Sequence, residues 1–404
     1  MIRPLVYPLF FLLFAAVAVP LANAGQTLPD TVVLSPQVLH ATKQRVLKRD
    51  PAVRPAYEQF MWEAEQAVKA PIESPTFKGK TGPSRDNHDY WSISPYWWPD
   101  PKKQDGLPFI RRDGQRNPET ASDTYDRTRL NRMSKNALTL ALAYYLTGNE
   151  VYATRATALI KAWCVDPATK ANPNMRYAQA RPGISDGQPT GIIETRDLIL
   201  VVDAVRLLEH SRAWGKADTR KVETWFSHYT DWLMHSEFGR KEAGSPNNHG
   251  TWFDAQVAVF AYFTGDKKLA NTVVGTTPTR RIVRQIMPDG SMPLELERTR
   301  SRQYTFFNLE AFFVLAAVGE RLGVDLWNWK DPVGPSIRQA LDFAASGIDP
   351  SQEWPHGRTG AFNPYVHVPL FRRAAVVYKD KRYIDFLKTL PADRLTRDRS
   401  FLFY

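Results

Sequence analysis

Apolar residues in this chain return every three to four positions over long stretches and seldom alternate one by one. That spacing predicts amphipathic helices at 36–48, 52–70, 123–147, 150–164, 192–211, 218–237, 251–264, 267–286, 304–322, 335–347 and 364–378. Strand patterns are scarce. Two stretches resemble each other: "LALAYYLTGNEVYATRA" (140–156) and "VAVFAYFTGDKKLANTV" (257–273) both run from an aromatic helix end through Thr-Gly-Asn/Asp into a fresh helix. Gly148 and Gly265 fit a left-handed helix stop, and the polar residue after each restarts the chain as a helix. "VLAAVGERLGVDLW" (314–327) is a looser third copy. Repeated helical hairpins bury their apolar faces only against neighbouring pairs. The predicted fold is therefore all-α, an incomplete (α/α) toroid whose inner helix ends surround a cleft. The non-periodic stretches 72–122, 165–191 and 238–250 become loops over that cleft. Their length and their Trp, Tyr, Asn and Pro content point to function rather than disorder.

The N-terminus changes the boundaries of that domain. Arg3, an apolar run broken by Pro8 and Pro20, and Ala22-Asn23-Ala24 read as a cleaved signal peptide over 1–24, not a membrane span. One toroidal domain, 25–404, is left for export. Cys164 is the only cysteine, so no intrachain disulfide and no thiolate metal cluster can form. An exported, disulfide-free chain fits a bacterial periplasm or the medium. The net charge of +11 favours a polyanionic partner. Because the basic residues are dispersed, with no arm or tail, nucleic acid is not expected, and no membrane contact is expected after signal cleavage.

Candidate chemistry gathers in the loops. Asn247, Asn248 and His249 stand side by side before a helix that one Asn would cap. Arg298, Arg300 and Arg302 precede Tyr304. In an extended segment all four would share a side; in a helix only Arg300 would sit one turn below the tyrosine. His88, Tyr90, Trp91, Tyr96 and Trp98 lie in a Pro-bounded aromatic stretch, and flat rings beside charges suit sugars. His88 beside Asp89 has no further histidine at ligand spacing, so no metal and no cofactor are expected. Arg111, Arg112 and Arg196 could each hold a carboxylate bidentately or serve a structural ion pair.

Five blocks carry a family resemblance: "HDYWSISPYWWPDP" (88–101), "GLPFIRRDGQRNPE" (106–119), "NPNMRYAQARPG" (172–183), "SPNNHGTWFD" (245–254) and "ELERTRSRQYTFFNLEAF" (295–312). In this order they resemble the alginate lyase superfamily of α/α-toroid polysaccharide lyases, and within it polysaccharide lyase family thirty-eight. The resemblance spans about 85 to 390. It implies metal-independent cleavage of a 4-linked polyuronate by β-elimination, with mannuronate-containing alginate or glucuronan as substrate. Elimination requires a neutralised C6 carboxylate, a base for the C5 proton and an acid for the departing O4. By resemblance, Asn248 and His249 face the carboxylate, Arg298 is the essential arginine with Arg300 in reserve, and Tyr304 shuttles the proton. A further asparagine comes from the third block, Asn172 or Asn174, with Asn172 preferred; Tyr177 and Gln179 join the substrate contacts. On mannuronate or glucuronate, H5 and O4 lie on one side, so a single tyrosine whose pKa of roughly 10 is lowered by a cation can serve both. On guluronate they lie on opposite faces, and His249 would have to be the base.

Two other classes compete. A hydrolase on the same scaffold would need two carboxylates across the cleft, with Asp89, Asp186, Glu194 and Asp254 available. A non-catalytic polyuronate-binding protein would keep the aromatics and arginines but would have no use for Tyr304.

Overall fold

The periodic stretches fold as helices, and their ends follow local chemistry. In the computed structural model, residues 28–332, 334–357 and 362–404 are described; the expected signal peptide lies outside them. The helices are α1 (Pro36–Leu47), α2 (Arg54–Lys69), α3 (Asp126–Thr147), α4 (Glu150–Cys164), α5 (Leu198–Leu208), α6 (Lys216–His235), α7 (Glu237–Ala243), α8 (Asn248–Phe263) and α9 (Lys267–Thr277). Single turns α10 (Val283–Gln285) and α11 (Pro293–Leu296) lead into α12 (Ser301–Leu322), α13 (Ile337–Ala344) and α14 (Val368–Val377). The short helices α15 (Arg382–Leu387), α16 (Ala392–Arg397) and α17 (Ser400–Phe403) end the chain. Gly148 and Gly323 stop α3 and α12 at φ 72° and 74°, a left-handed backbone that glycine adopts without strain. Asn149 and Asp266 then accept backbone N–H groups as the caps of α4 and α9.

Successive hairpins lie against one another: α3 on α4 and α5, α8 on α9 and α12. One hydrophobic cluster runs from Val32 to Phe403, with Phe60, Phe226, Phe260, Phe306 and Phe371 fully buried within it. This is the toroid. Cys164 is buried at the end of α4, and burial pushes its thiol well up. The chain's first described segment closes the ring. Asp203 of α5 accepts the N–H groups of Val32 and Leu34 at 2.6 and 2.8 Å, while Arg321 and Arg373 donate to carbonyls of the same segment. Thr42 donates to the carbonyl of Leu402, so the first and last described helices, α1 and α17, meet.

Three expectations are corrected. The stretch 192–211 is an α-helix only from Leu198; Pro189–Asp197 winds as a tighter 3₁₀ segment. The stretch 267–286 is interrupted at Pro278, where five residues widen into a π turn, because proline has no N–H to continue the α ladder. The loops also hold short strands. β1 (Trp91–Ile93) pairs in parallel with β4 (Tyr177–Ala180), and β2 (Trp97–Trp98) pairs antiparallel with β3 (Ile110–Arg111). Strands of two to four residues are too short to show a period of two. They fix the aromatic loop against the toroid.

Candidate active site

Residues 242–254 form a braced corner. Asn247 caps α8, its side-chain oxygen accepting the N–H of His249 at 3.2 Å. Asn248 is fully buried, and Glu295 accepts both its backbone N–H and its side-chain Nδ2, each at 2.7 Å; the other amide atom, Oδ1, has no hydrogen-bond partner among the described residues. Burial pushes the Glu295 carboxyl up, against these two donors. His249 Nδ1 meets Oε1 of the buried Glu242 at 2.6 Å. Arg281 bonds Asp254 with two nitrogens and also donates to the carbonyls of Ala243 and Ser245. Its guanidinium passes Gly250 so closely that a Cβ there would collide with it and with the Ser245 carbonyl, which is why the position is glycine.

The tyrosine sits in the first turn of α12. Arg300 ends the loop and the helix begins at Ser301, so Arg298 stays outside the helix and folds back over Tyr304. Its guanidinium lies 3.9 Å from the ring centroid and donates to the Tyr304 hydroxyl at 3.0 Å. The hydroxyls of Tyr304 and Tyr96 are 2.9 Å apart. Arg302 turns away and donates to the carbonyls of Asp349 and Gln352. Of the two geometries open to the sequence, the helical one holds from 301 onward, and Arg298 reaches the tyrosine from before it. The expected lowering of the Tyr304 pKa is corrected: burial and Tyr96 push it up, and Arg298 only partly offsets them.

Of these groups, Tyr96, Asn247, Asn248, His249, Arg298 and Tyr304 line one cavity of about 1200 Å³. Ten arginine and lysine side chains line it, among them Arg116, Arg127, Arg181 and Arg196, against three carboxylate side chains, Asp197, Glu310 and Asp398. The excess of cationic side chains makes the cavity electrostatically complementary to an anion.

Residues 75–354 match the alginate lyase family. The chain belongs to it. An alginate lyase from Bacteroides ovatus is 35% identical, superposes with a TM-score of 0.87, and is covered over 99% of its length by 93% of this chain. Alginate lyase A1-III from Sphingomonas species A1 shares the fold at 17% identity and a TM-score of 0.57, over 92% of this chain and 97% of that one. A variant of A1-III complexed with a tetrasaccharide gives 16% identity and a TM-score of 0.58, over 94% and 97%. No curated protein matches the chain. The protein is thus a polysaccharide lyase of the α/α-toroid fold.

Within this lyase, Tyr304, His249, Asn248, Arg298, Tyr96, Gln179, Arg196 and Arg300 all line the cavity. Asn172 does not. It donates to Asp86 and Asp89 at 2.9 Å each, and Asn174 donates to Asp89 as well, so both asparagines brace the loop base. His88 is held by the Lys170 carbonyl. Tyr90 is buried and donates to Glu194. Trp91 packs edge-on against Tyr125, and Tyr177 is its partner across the β1–β4 pair. Trp98 donates to the Gln115 carbonyl and lies under Arg112. These five are supports of the aromatic loop, not lining residues of the cavity. Trp252 packs on Phe307 and also lines the cavity.

Sequence reasoning missed several lining or bracing groups. Trp97 lines the cavity with Arg181 stacked 4.6 Å over its ring. Arg116 stood in a quoted block but without a distinguishing neighbour. Glu194, named from sequence only as a carboxylate open to a hydrolase, collects donors from Tyr90, Ser92 and Gln179 and stands 3.6 Å from Arg127, a bracing role visible only once the chain is folded. Glu242 and Glu295 gave no signal either, since a lone glutamate in a polar stretch is usually solvated.

Proposed function

We propose that this lyase cuts a 4-linked polyuronate by β-elimination, with mannuronate-containing alginate as its substrate. The observation that carries the reading is Tyr304: its hydroxyl is held by Arg298 and Tyr96 on the wall of the cavity that also holds Asn248 and His249. The cationic lining neutralises the C6 carboxylate, which stabilises charge spreading from C5 into an enolate-like intermediate. On mannuronate, Tyr304 as phenolate takes the C5 proton. The C4=C5 double bond forms as the C4–O4 bond breaks, and Tyr304 returns the proton to O4. On guluronate, His249 takes the C5 proton and Tyr304 gives its own to O4. The Bacteroides ovatus and A1-III relatives support the substrate class. The hydrolase alternative has no comparable support, because Asp89, Asp186, Glu194 and Asp254 all lie off the cavity lining. We further propose a single toroidal domain over 25–404, exported to the periplasm by the N-terminal signal.

The test is product chemistry. Incubation with polymannuronate, polyguluronate and glucuronan should yield products absorbing in the ultraviolet from the new double bond. Tyr304→Phe keeps the ring and removes the oxygen, so it should lower the rate by at least about 10³-fold, with the melting temperature little changed. Saturated products would refute elimination, and a near-normal rate from Tyr304→Phe would remove the tyrosine from the mechanism.

A further inference from the structure

The carboxylate behind His249 has no part in the scheme above, and its setting is unusual. Glu242 lies on the seven-residue helix α7 with its side chain almost wholly buried. Its Oε1 meets His249 Nδ1 at 2.6 Å, and its Oε2 is buried with no hydrogen-bond partner among the described residues. A carboxylate kept from water is destabilising unless its contacts compensate. Here the histidine is the contact made. The backbone of the same residue is held by the Asn247 side chain, whose Oδ1 accepts the His249 N–H.

We propose that Glu242 is a positioning residue that holds the proton of neutral His249 on Nδ1 and turns the unprotonated Nε2 to the cavity. A carboxylate only accepts, so a neutral imidazole bonded to it through Nδ1 must be the Nδ1–H tautomer. That leaves Nε2 with a free lone pair, the form needed to remove a C5 proton. A ring free to take the other tautomer would present an N–H there and could not act as a base. The inference rests on the reading of His249 as the base on guluronate units. It adds what keeps that base in its working form.

The test compares Glu242→Gln with His249→Gln on polyguluronate and polymannuronate, and records the His249 tautomer by two-bond ¹H–¹⁵N correlation in the unliganded protein at a pH where the ring is neutral. Native protein should show bare Nε2, and Glu242→Gln a mixture of tautomers. The same variant should lose about 10²-fold or more in kcat on polyguluronate with KM within about twofold, and under tenfold on polymannuronate, where Tyr304 carries both transfers. Glu242→Asp, which retains the charge, should keep the native tautomer and guards against a Gln variant that folds poorly. An Nε2–H tautomer in the native protein would overturn the assignment whether or not polyguluronate is cut. So would a Gln variant with unchanged tautomer, or a loss carried in KM or equal on both polymers. If His249→Gln cuts polyguluronate at the native rate, the base reading itself fails; if only Glu242→Gln does, Glu242 alone is dismissed.

Discussion

In the proposed mechanism Tyr304 must release its own proton before it can accept one from C5. Burial holds the hydroxyl above its ordinary value of roughly 10, with Arg298 pulling the other way, so in the free enzyme it is protonated across the neutral range. The sign follows: the phenolate fraction grows about tenfold per pH unit, and kcat/KM on polymannuronate should climb with pH at a slope near one between about pH 6 and 9. A flat profile there would mean that Tyr304 acts only as the acid. At this scale the sequence was partly legible. The adjacency of Asn247, Asn248 and His249 and the Arg298–Tyr304 spacing were recognisable as letters. The sign of the Tyr304 shift was not, because it depends first on burial and then on Tyr96, which stands 208 positions away and approaches to 2.9 Å only in the fold. Asn172 was misplaced for a related reason: Asn-Pro-Asn reads the same whether its amides face a substrate or, as here, Asp86 and Asp89.

Besides the short strand pairs, one buried ion pair ties the base of the aromatic loop to α3. Lys78 donates to the carbonyls of Pro75, Asn87 and Asp89 at 2.7–2.9 Å and stands 3.2 Å from Asp126 at the start of α3, with both side chains shut off from solvent. Asp126 also accepts the Trp91 N–H at 2.9 Å, and burial raises its carboxyl to about 7 despite the lysine. Lys78→Met leaves that carboxyl buried without its cation and three carbonyls without a donor. The substitution should cost about 3–5 kcal/mol, read as a lower midpoint in urea unfolding. It should also loosen Tyr96, so polymannuronate KM should rise in the folded fraction. The long helices were legible because a 22-residue repeat such as α3 or α12 leaves little doubt about its period. Pro278 and the Pro189–Asp197 segment were not, since an apolar stripe continues smoothly through a change of helical pitch.

For the molecule as a whole, charge placement matters more than charge total. Dispersed along the sequence, the basic residues gave only a net excess; folded, ten of them converge on one cavity with three acidic side chains. Raising salt from about 0.05 to 0.5 M shortens the screening length to a few ångströms, so KM for long polyuronates should rise several-fold while kcat changes little. Equal KM at both strengths would count against the cationic cavity as the capture surface. The toroid itself was foreseeable from repeated hairpins. Its closure by Asp203 on the Val32–Leu34 segment was not, because no periodic signal marks a carboxylate that binds main chain. Cys164, shielded at the end of α4, has a practical consequence. With the native thiol out of reach, a cysteine installed at the exposed rim, in place of Arg111 for instance, would be the sole site open to maleimide. A fluorophore or spin label could then be placed there without first stripping the protein of its own sulfur, and would report in real time how the mouth of the ring responds as a sugar chain threads in.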